Sequence, residues 1–156
     1  MKNAILALLV LLSMATSAAA SDSIAAGIRI GTVSNKNSGQ YYEAFGDLYL
    51  NNLISIGATA SYYLVDHNSI GSVKRDEAMP ITALFKVHAP IPFIKPYAGL
   101  GQAIVFHNKY SATGSPVAIF GVSISPLPLP LFLNVEYRHQ FNGELDFLTG
   151  GVGVKF

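Results

Sequence analysis

Cysteine is absent from this 156-residue sequence, which removes a disulfide framework, a lipid-modified cysteine, thiolate chemistry and cysteine metal sites together. Burial and backbone hydrogen bonds must hold the fold alone. Charge is scarce as well. Only 12% of residues are Asp, Glu, Lys or Arg while 51% are hydrophobic, against roughly 25% charged in soluble globular domains. That balance argues against disorder and against an ordinary water-facing surface. Neither sign of charge dominates, since ten Lys plus Arg meet nine Asp plus Glu for a net +1. No basic cluster exceeds the pair Lys74 and Arg75, so the electrostatic footprint of a nucleic-acid partner is missing.

Long apolar runs are also lacking. The strongest, Ala4 to Leu12, falls short of the ~20 residues of a membrane-spanning helix. Lys2 precedes it, and Ser13, Met14 and then Ala18, Ala19 and Ala20 follow. A basic start, a short apolar core and a small-residue cleavage site read as a secretory signal peptide over 1–20. Residues 21–156 are then one mature domain.

Within that domain no long helical periodicity occurs, and the apolar stretches are rich in Val, Ile, Tyr and Phe, broken by Gly, Pro, Asn and Asp. Eight alternating segments emerge, over 24–34, 41–50, 53–65, 78–88, 93–107, 116–125, 131–141 and 146–156. In the first, Ile24, Ala26, Ile28 and Ile30 oppose Ala25, Gly27, Arg29 and Gly31; in the third, Ile54, Ile56, Ala58 and Ala60 oppose Ser55, Gly57, Thr59 and Ser61. Connections alternate too. They are short near Asn51 and Asn52, at 89–92 and at 126–130, and longer and polar at 35–40, 66–77, 108–115 and 142–146. Short turns at one end and long loops at the other predict an all-β fold: an eight-stranded, antiparallel, up-and-down transmembrane β-barrel with its short turns periplasmic.

A charge on a lipid-facing position costs about 2–4 kcal/mol at mid-depth for Lys or Arg, so charges inside segments should share one parity. Arg29, Glu43, Asp47, Lys86, Lys95, Glu136, Arg138 and Lys155 all fall opposite the apolar face. A soluble barrel with an apolar core would pass the same test, and two features favour lipid outside. Tyr42, Tyr62, Phe106, Phe132, Tyr137 and Phe156 cluster toward segment ends, as aromatic girdles would. The polar face carries Gly27, Gly31, Gly57, Gly99, Gly101, Gly121, Gly151 and Gly153, which suit the crowded interior of a narrow barrel.

The ending TGGVGVKF, the strand NVEYRHQF, the phrase IKPYAGLG and the opening AAGIRIG resemble the small outer-membrane β-barrel proteins of Gram-negative bacteria, of the OmpA, OmpX and OmpW kind. The resemblance spans the mature chain. It implies residence in the outer membrane as a monomer among lipid and lipopolysaccharide. It also implies that Val152, Val154 and the final Phe156 form the signal read by the barrel assembly machinery. Anchors, narrow channels, adhesins and lipid-modifying enzymes share such barrels, so a role must be argued from the site.

Catalytic signals are weak. His67 lies in a polar loop; His88 and His107 have inward parity but fall toward opposite barrel ends, so no metal site is expected. His139 has outward parity near the outer rim with Glu144 within reach, an arrangement resembling a lipid A deacylase of the PagL kind. The serine that such an enzyme carries two residues after its histidine is here Phe141, so the nucleophile is missing. The amphipathic helix of a PagP-type acyltransferase has no room before Ile24. No phosphate-cradling or nucleotide motif appears, and no cofactor is expected. The inward charges are the remaining constellation, five basic and three acidic. Enclosed in a barrel they must pair or meet water, and they serve either as a plug or as the lining of a thin, ion-selecting conduit. The expected protein is a non-enzymatic envelope component or a very narrow channel. A lipid-modifying enzyme and a soluble lipocalin-like carrier are the rivals. Lys74 and Arg75 in the 66–77 loop are candidates for lipopolysaccharide phosphate.

Overall fold

Side chains that alternate with a period of two build a sheet with two unlike faces, and eight such segments roll into a closed cylinder here. The computed structural model describes residues 24–34, 38–69, 72–107, 110–125 and 130–156; the signal peptide expected over 1–20 lies outside them. The strands are β1 (Ile24–Ser34), β2 (Ser38–Tyr49), β3 (Ile54–Ser69), β4 (Ser72–His88), β5 (Ile94–His107), β6 (Tyr110–Ile124), β7 (Leu131–Gln140) and β8 (Leu145–Lys155). Each pairs antiparallel with its sequence neighbours, and β8 pairs with β1 to close the barrel.

The two faces are inverted relative to a water-soluble protein. Ile30 is 63% exposed and Leu100 67%, whereas Arg29 and Lys86 are each 1% exposed. Leu48, Ile56, Ile81, Phe85, Leu133 and Val152 join the exposed apolar belt. Such a belt suits lipid and does not suit a soluble carrier.

Several details depart from the alternation read in the sequence. The expected 66–77 loop is largely strand, because β3 runs on to Ser69 and β4 begins at Ser72, with His67 in register with Lys74 and Asp66 with Arg75. These strands, of 16 and 17 residues, exceed the ~9–11 needed to cross hydrocarbon, so their polar outer turns project as a hairpin. The side chains of His67, Lys74 and Arg75 lie outside the described residues. Likewise β6 starts at Tyr110 and β2 at Ser38, inside segments expected as loops. Phe132, expected in an outer aromatic girdle, points inward and is buried, as its even number on β7 demands beside outward Leu131 and Leu133.

Glycine makes the narrow interior possible. Gly27 of β1 and Gly153 of β8 are register partners, and a Cβ on either would collide with the ring of Phe45 or Phe132 respectively. These two rings meet edge to face, with centroids 6.1 Å apart, and cover the backbone the glycines leave bare. At the short-turn end, Asn51 Oδ1 accepts the N–H groups of Leu53 and Ile54, both at 2.8 Å, an Asx turn that satisfies a reversal with no strand partner. Val152 and Val154 face outward on β8 opposite Ile28 and Ala26, and the Phe156 N–H donates to the Ile24 carbonyl at 2.8 Å.

Lysine substituted at Ala58 or Val152 would place a charge in the apolar belt at a cost of about 2–4 kcal/mol. Both variants are expected to lose the heat-modifiable gel migration of a folded barrel. Normal migration of the two would show that the outward face does not meet lipid.

Candidate functional site: the barrel lumen

Inward parity delivers charged side chains from several strands to one level of the lumen. There Arg29 of β1, Glu43 of β2, and Glu136 and Arg138 of β7 form a closed four-membered ring of ion pairs. Arg29 Nη1 lies 2.6 Å from Glu43 Oε1 and 2.8 Å from Glu136 Oε1. Arg138 Nη2 completes the ring at 2.7 Å from Glu43 Oε2 and 2.9 Å from Glu136 Oε1. Two positive and two negative charges alternate, all buried, so each meets opposite charge on both sides and the ring is neutral.

Neutral polar groups brace the ring. Arg138 Nη1 donates to Tyr41 Oη at 2.8 Å, and Tyr41 donates to Glu43 Oε2 at 2.5 Å, which also accepts from Ser61 Oγ at 3.1 Å. On the other side, Tyr97 Oη of β5 donates to Glu136 Oε2 at 2.8 Å and accepts from Asn134 Nδ2 at 2.9 Å; the same amide reaches Ser123 Oγ of β6 at 3.0 Å. Thr149 Oγ1 of β8 donates to the Glu136 carbonyl at 3.1 Å. Lys86 of β4 pairs with Asp47 at 2.7 Å and lies 5.4 Å from the centre of the Tyr97 ring. Every strand therefore contributes a side chain to the network. Among the described residues, Arg29 Nε and Arg138 Nε lack hydrogen-bond partners.

Above the ring, toward the long hairpins, apolar side chains predominate in the lumen beside buried Ser115 and Gln140. Val33, Tyr63, Val65, Ala103, Val105, Val117, Ile119 and Phe147 belong to one buried cluster, with the Phe147 ring tilted against Tyr41 at 4.7 Å and edge-on to Tyr63 at 5.7 Å between centroids. The sequence reading expected charge and glycine inside and did not foresee this layer, because those residues share parity with the polar set. Tyr41, Tyr97 and Asn134 were likewise missed as partners of the charges.

Six of the eight inward charges sit in these networks; Lys95 and Lys155 stand at the short-turn mouth beside Tyr49 and Asn52, where Lys155 Nζ donates to Ser125 Oγ at 3.3 Å. His88 also lies near this end, buried, with Nε2 2.7 Å from Ser55 Oγ, while His107 is at the far end of the β4–β5 pair. Among the described residues, no three His, Asp or Glu side chains converge to hold a metal ion.

Outside the barrel, His139 Nδ1 lies 2.7 Å from Asp146 Oδ1, and Tyr137 Oη donates to the same oxygen at 2.6 Å. Glu144, expected within reach of His139, instead occupies the 141–144 turn with φ 50°, following Gly143 at φ 97°; Asp146 is the true partner because it is the register mate of His139 across β7 and β8. On its other side Asp146 pairs in register with Ser34 of β1. The carboxylate thus stands between hydroxyl and imidazole, whereas nucleophilic catalysis needs the imidazole in the middle.

Neither a family model nor a curated protein matches the sequence. Solved structures do. A de novo designed transmembrane β-barrel superimposes with a TM-score of 0.63 at 15% identity, covering 88% of this chain and 98% of its own. Neisserial surface protein A gives 0.61 at 18%, covering 85% and 96%. The outer-membrane enzyme PagL gives 0.55 at 10%, covering 85% and 99%. The shared property is the fold, that of the small eight-stranded outer-membrane β-barrels.

Removing one member of a buried ion network strands its partners at about 3–5 kcal/mol. Glu136→Ala and Arg138→Ala are each expected to lower the urea midpoint of the folded barrel, followed by gel migration. The charge swap Glu136→Arg with Arg138→Glu should cost less than either single reversal, because the ring keeps its composition. Equal losses for the swap and the single reversals would mean that the ring does not act as a unit.

Proposed function

We propose that the protein is a non-enzymatic, integral outer-membrane barrel whose lumen is a structural plug, making it an envelope component and not a solute pathway. One observation carries this reading: the neutral Arg29–Glu43–Arg138–Glu136 ring crosses the lumen with its side chains buried, and a packed apolar cluster lies directly above it. An ion moving through would have to part four short ion pairs and then enter a layer lined mainly by apolar side chains. Eight strands leave an interior just wide enough for side chains to fill, which agrees. The outer-membrane location rests on the apolar belt and on the fold shared with outer-membrane barrels. Its partners in this reading are outer-membrane lipid, lipopolysaccharide and the barrel assembly machinery, with Val152, Val154 and Phe156 as the signal displayed on β8.

A second reading, hydrolysis of an outer-leaflet lipid, draws on the His139–Asp146 contact at 2.7 Å and on the fold shared with PagL. It requires a nucleophile on the far side of His139, where the described residues place Phe141 edge-on at 4.8 Å. The geometry therefore favours an interfacial polar cluster over a catalytic one.

Planar-bilayer recording on the refolded mature protein separates plug from conduit. The expected result is a heat-modifiable barrel without unitary current, and a Glu43→Ala, Glu136→Ala double variant that also stays silent because the apolar layer remains. Reproducible unitary currents from the unaltered protein would overturn the plug.

A further inference from the structure

The apolar belt does not end alike all the way round the barrel. Where the β4–β5 ladder stops, its outward pairs are Met79 with Phe106 and Ile81 with Ile104, all exposed and apolar. Where β7, β8, β1 and β2 approach their hairpins, the outward register rows are polar instead. One row runs His139–Asp146–Ser34 and the next Tyr137–Leu148–Thr32–Gln40, with Tyr42 two residues below Gln40 on β2, toward the short turns. These rows hold one acid and no lysine or arginine.

The side chains of this wall hold one another in place. Tyr137 Oη donates to Asp146 Oδ1 at 2.6 Å, and His139 Nδ1 lies 2.7 Å from the same oxygen, with Phe141 edge-on to the imidazole at 4.8 Å. Both contacts fall on Oδ1, which leaves Asp146 Oδ2 as an acceptor, and an Nδ1–H turned to the carboxylate leaves His139 Nε2 as a second one. On the other flank Tyr42 Oη donates to Gln40 Oε1 at 3.1 Å, so the Gln40 amide hydrogens remain as donors. The Asp146 and His139 side chains keep 44% and 32% of their surface exposed, and Tyr42 and Tyr137 are exposed as well. Fixed acceptors thus stand at one end of the patch, amide and hydroxyl donors at the other, and aromatic rings along its border with the belt.

We infer that this wall binds the saccharide headgroup of an outer-leaflet glycolipid: Asp146 and His139 accept from sugar hydroxyls, Gln40 and Thr32 donate to sugar oxygens, and Tyr42 and Tyr137 meet its C–H faces. The inference rests on the outer-membrane reading above, which sets the hairpin end of the belt among outer-leaflet headgroups. Continuity with the belt makes the occupant a lipid, whose chains run down over Leu148 and Ile30, 57% and 63% exposed. A sugar hydroxyl both donates and accepts, which a wall of mixed donors and acceptors matches, and tyrosine suits a boundary that is apolar on one side and wet on the other. An ionised phosphate only accepts. It would face the Asp146 carboxylate with no lysine or arginine in these rows to offset the repulsion, so the grip is on the hydroxyls of the headgroup and not on any phosphate it carries.

The test uses the refolded mature barrel in polyoxyethylene micelles, which carry neither sugar nor phosphate. Native mass spectrometry reads retention of monoglucosyl diacylglycerol, phosphatidylglycerol and phosphatidylethanolamine with the same acyl chains. Saturable, preferential retention of the glycolipid is expected, weakened about tenfold by Asp146→Ala, the loss of one charge-assisted hydrogen bond, and to a smaller extent by Gln40→Ala, which leaves the Asp146 cluster intact. Met79→Ala, an outward change on the far wall, should leave retention unchanged. Heat-modifiable migration checks that each variant is folded. Equal retention of the three lipids overturns the sugar site, as does equal weakening by Met79→Ala and Asp146→Ala. Preference for phosphatidylethanolamine overturns it too and assigns Asp146 to an ammonium group. Those failures leave the outer-membrane reading standing, whereas a folded barrel that does not insert into liposomes overturns that reading and the site with it.

Discussion

An unpaired strand edge has no place in hydrocarbon, because each bare N–H or C=O there costs several kcal/mol. The pairing of β8 with β1 is therefore the condition on which everything else in this molecule depends. Closing only eight strands makes the cylinder narrow, and a narrow cylinder has room inside for small residues, a few rings, and little else. Glycines at 27, 151 and 153 follow from that, as does the burial of Phe45 and Phe132 across them. The period-two alternation then forces polar side chains inward wherever apolar ones face lipid. Enclosed charge must in turn be neutralised, and the Arg–Glu ring is how this chain does so. With two arginine Nε atoms unpartnered among the described residues, the ring is not an optimised source of stability. Its contribution is to make one register correct, since a slip of one residue would send Arg29 into lipid.

Much of this architecture was legible in the sequence, for a definite reason. Lipid punishes a misplaced charge heavily, so Arg29, Glu43, Asp47, Lys86, Glu136 and Arg138 marked one common face, and the structure buries all six. Strand number followed from the turns. Legibility failed where that penalty no longer applies. Beyond the apolar belt, residues 66–69 and 72–77 keep their strand pairing but lose the apolar alternation that announces it, and so read as loop. Inside the lumen, an apolar residue carries no penalty on either face, so Val33, Val105, Val117 and Phe147 gave no sign that they would segregate into a layer of their own. Phe132 was misplaced by its chemistry where its numbering would have placed it correctly.

The same logic explains the one charged side chain of outward parity described on β8. Asp146 sits at the hairpin end, where the depth-dependent penalty has faded, and its carboxylate is engaged by both His139 and Tyr137. Sequence distance pointed to Glu144 as the partner of His139, but strand register outranks proximity along the chain. Two residues further on, Asp146 is directly opposite, while Glu144 is consumed by the turn.

The Arg29–Glu136 contact has a topological meaning beyond its charge. Arg29 belongs to the first strand and Glu136 to the seventh, so their 2.8 Å pairing reaches over the eighth. It passes above Gly151, the register mate of Arg29, where a Cβ would strike the Arg29 side chain. The seam between first and last strands is lined on its inner side by Gly27, Gly151 and Gly153, so below the ring it lacks the side-chain interlock that Val33 and Phe147 give it toward the hairpins. The guanidinium serves as its clasp. It can fasten only after the two ends of the chain have met, which makes the completed electrostatic ring a chemical record that the cylinder has shut.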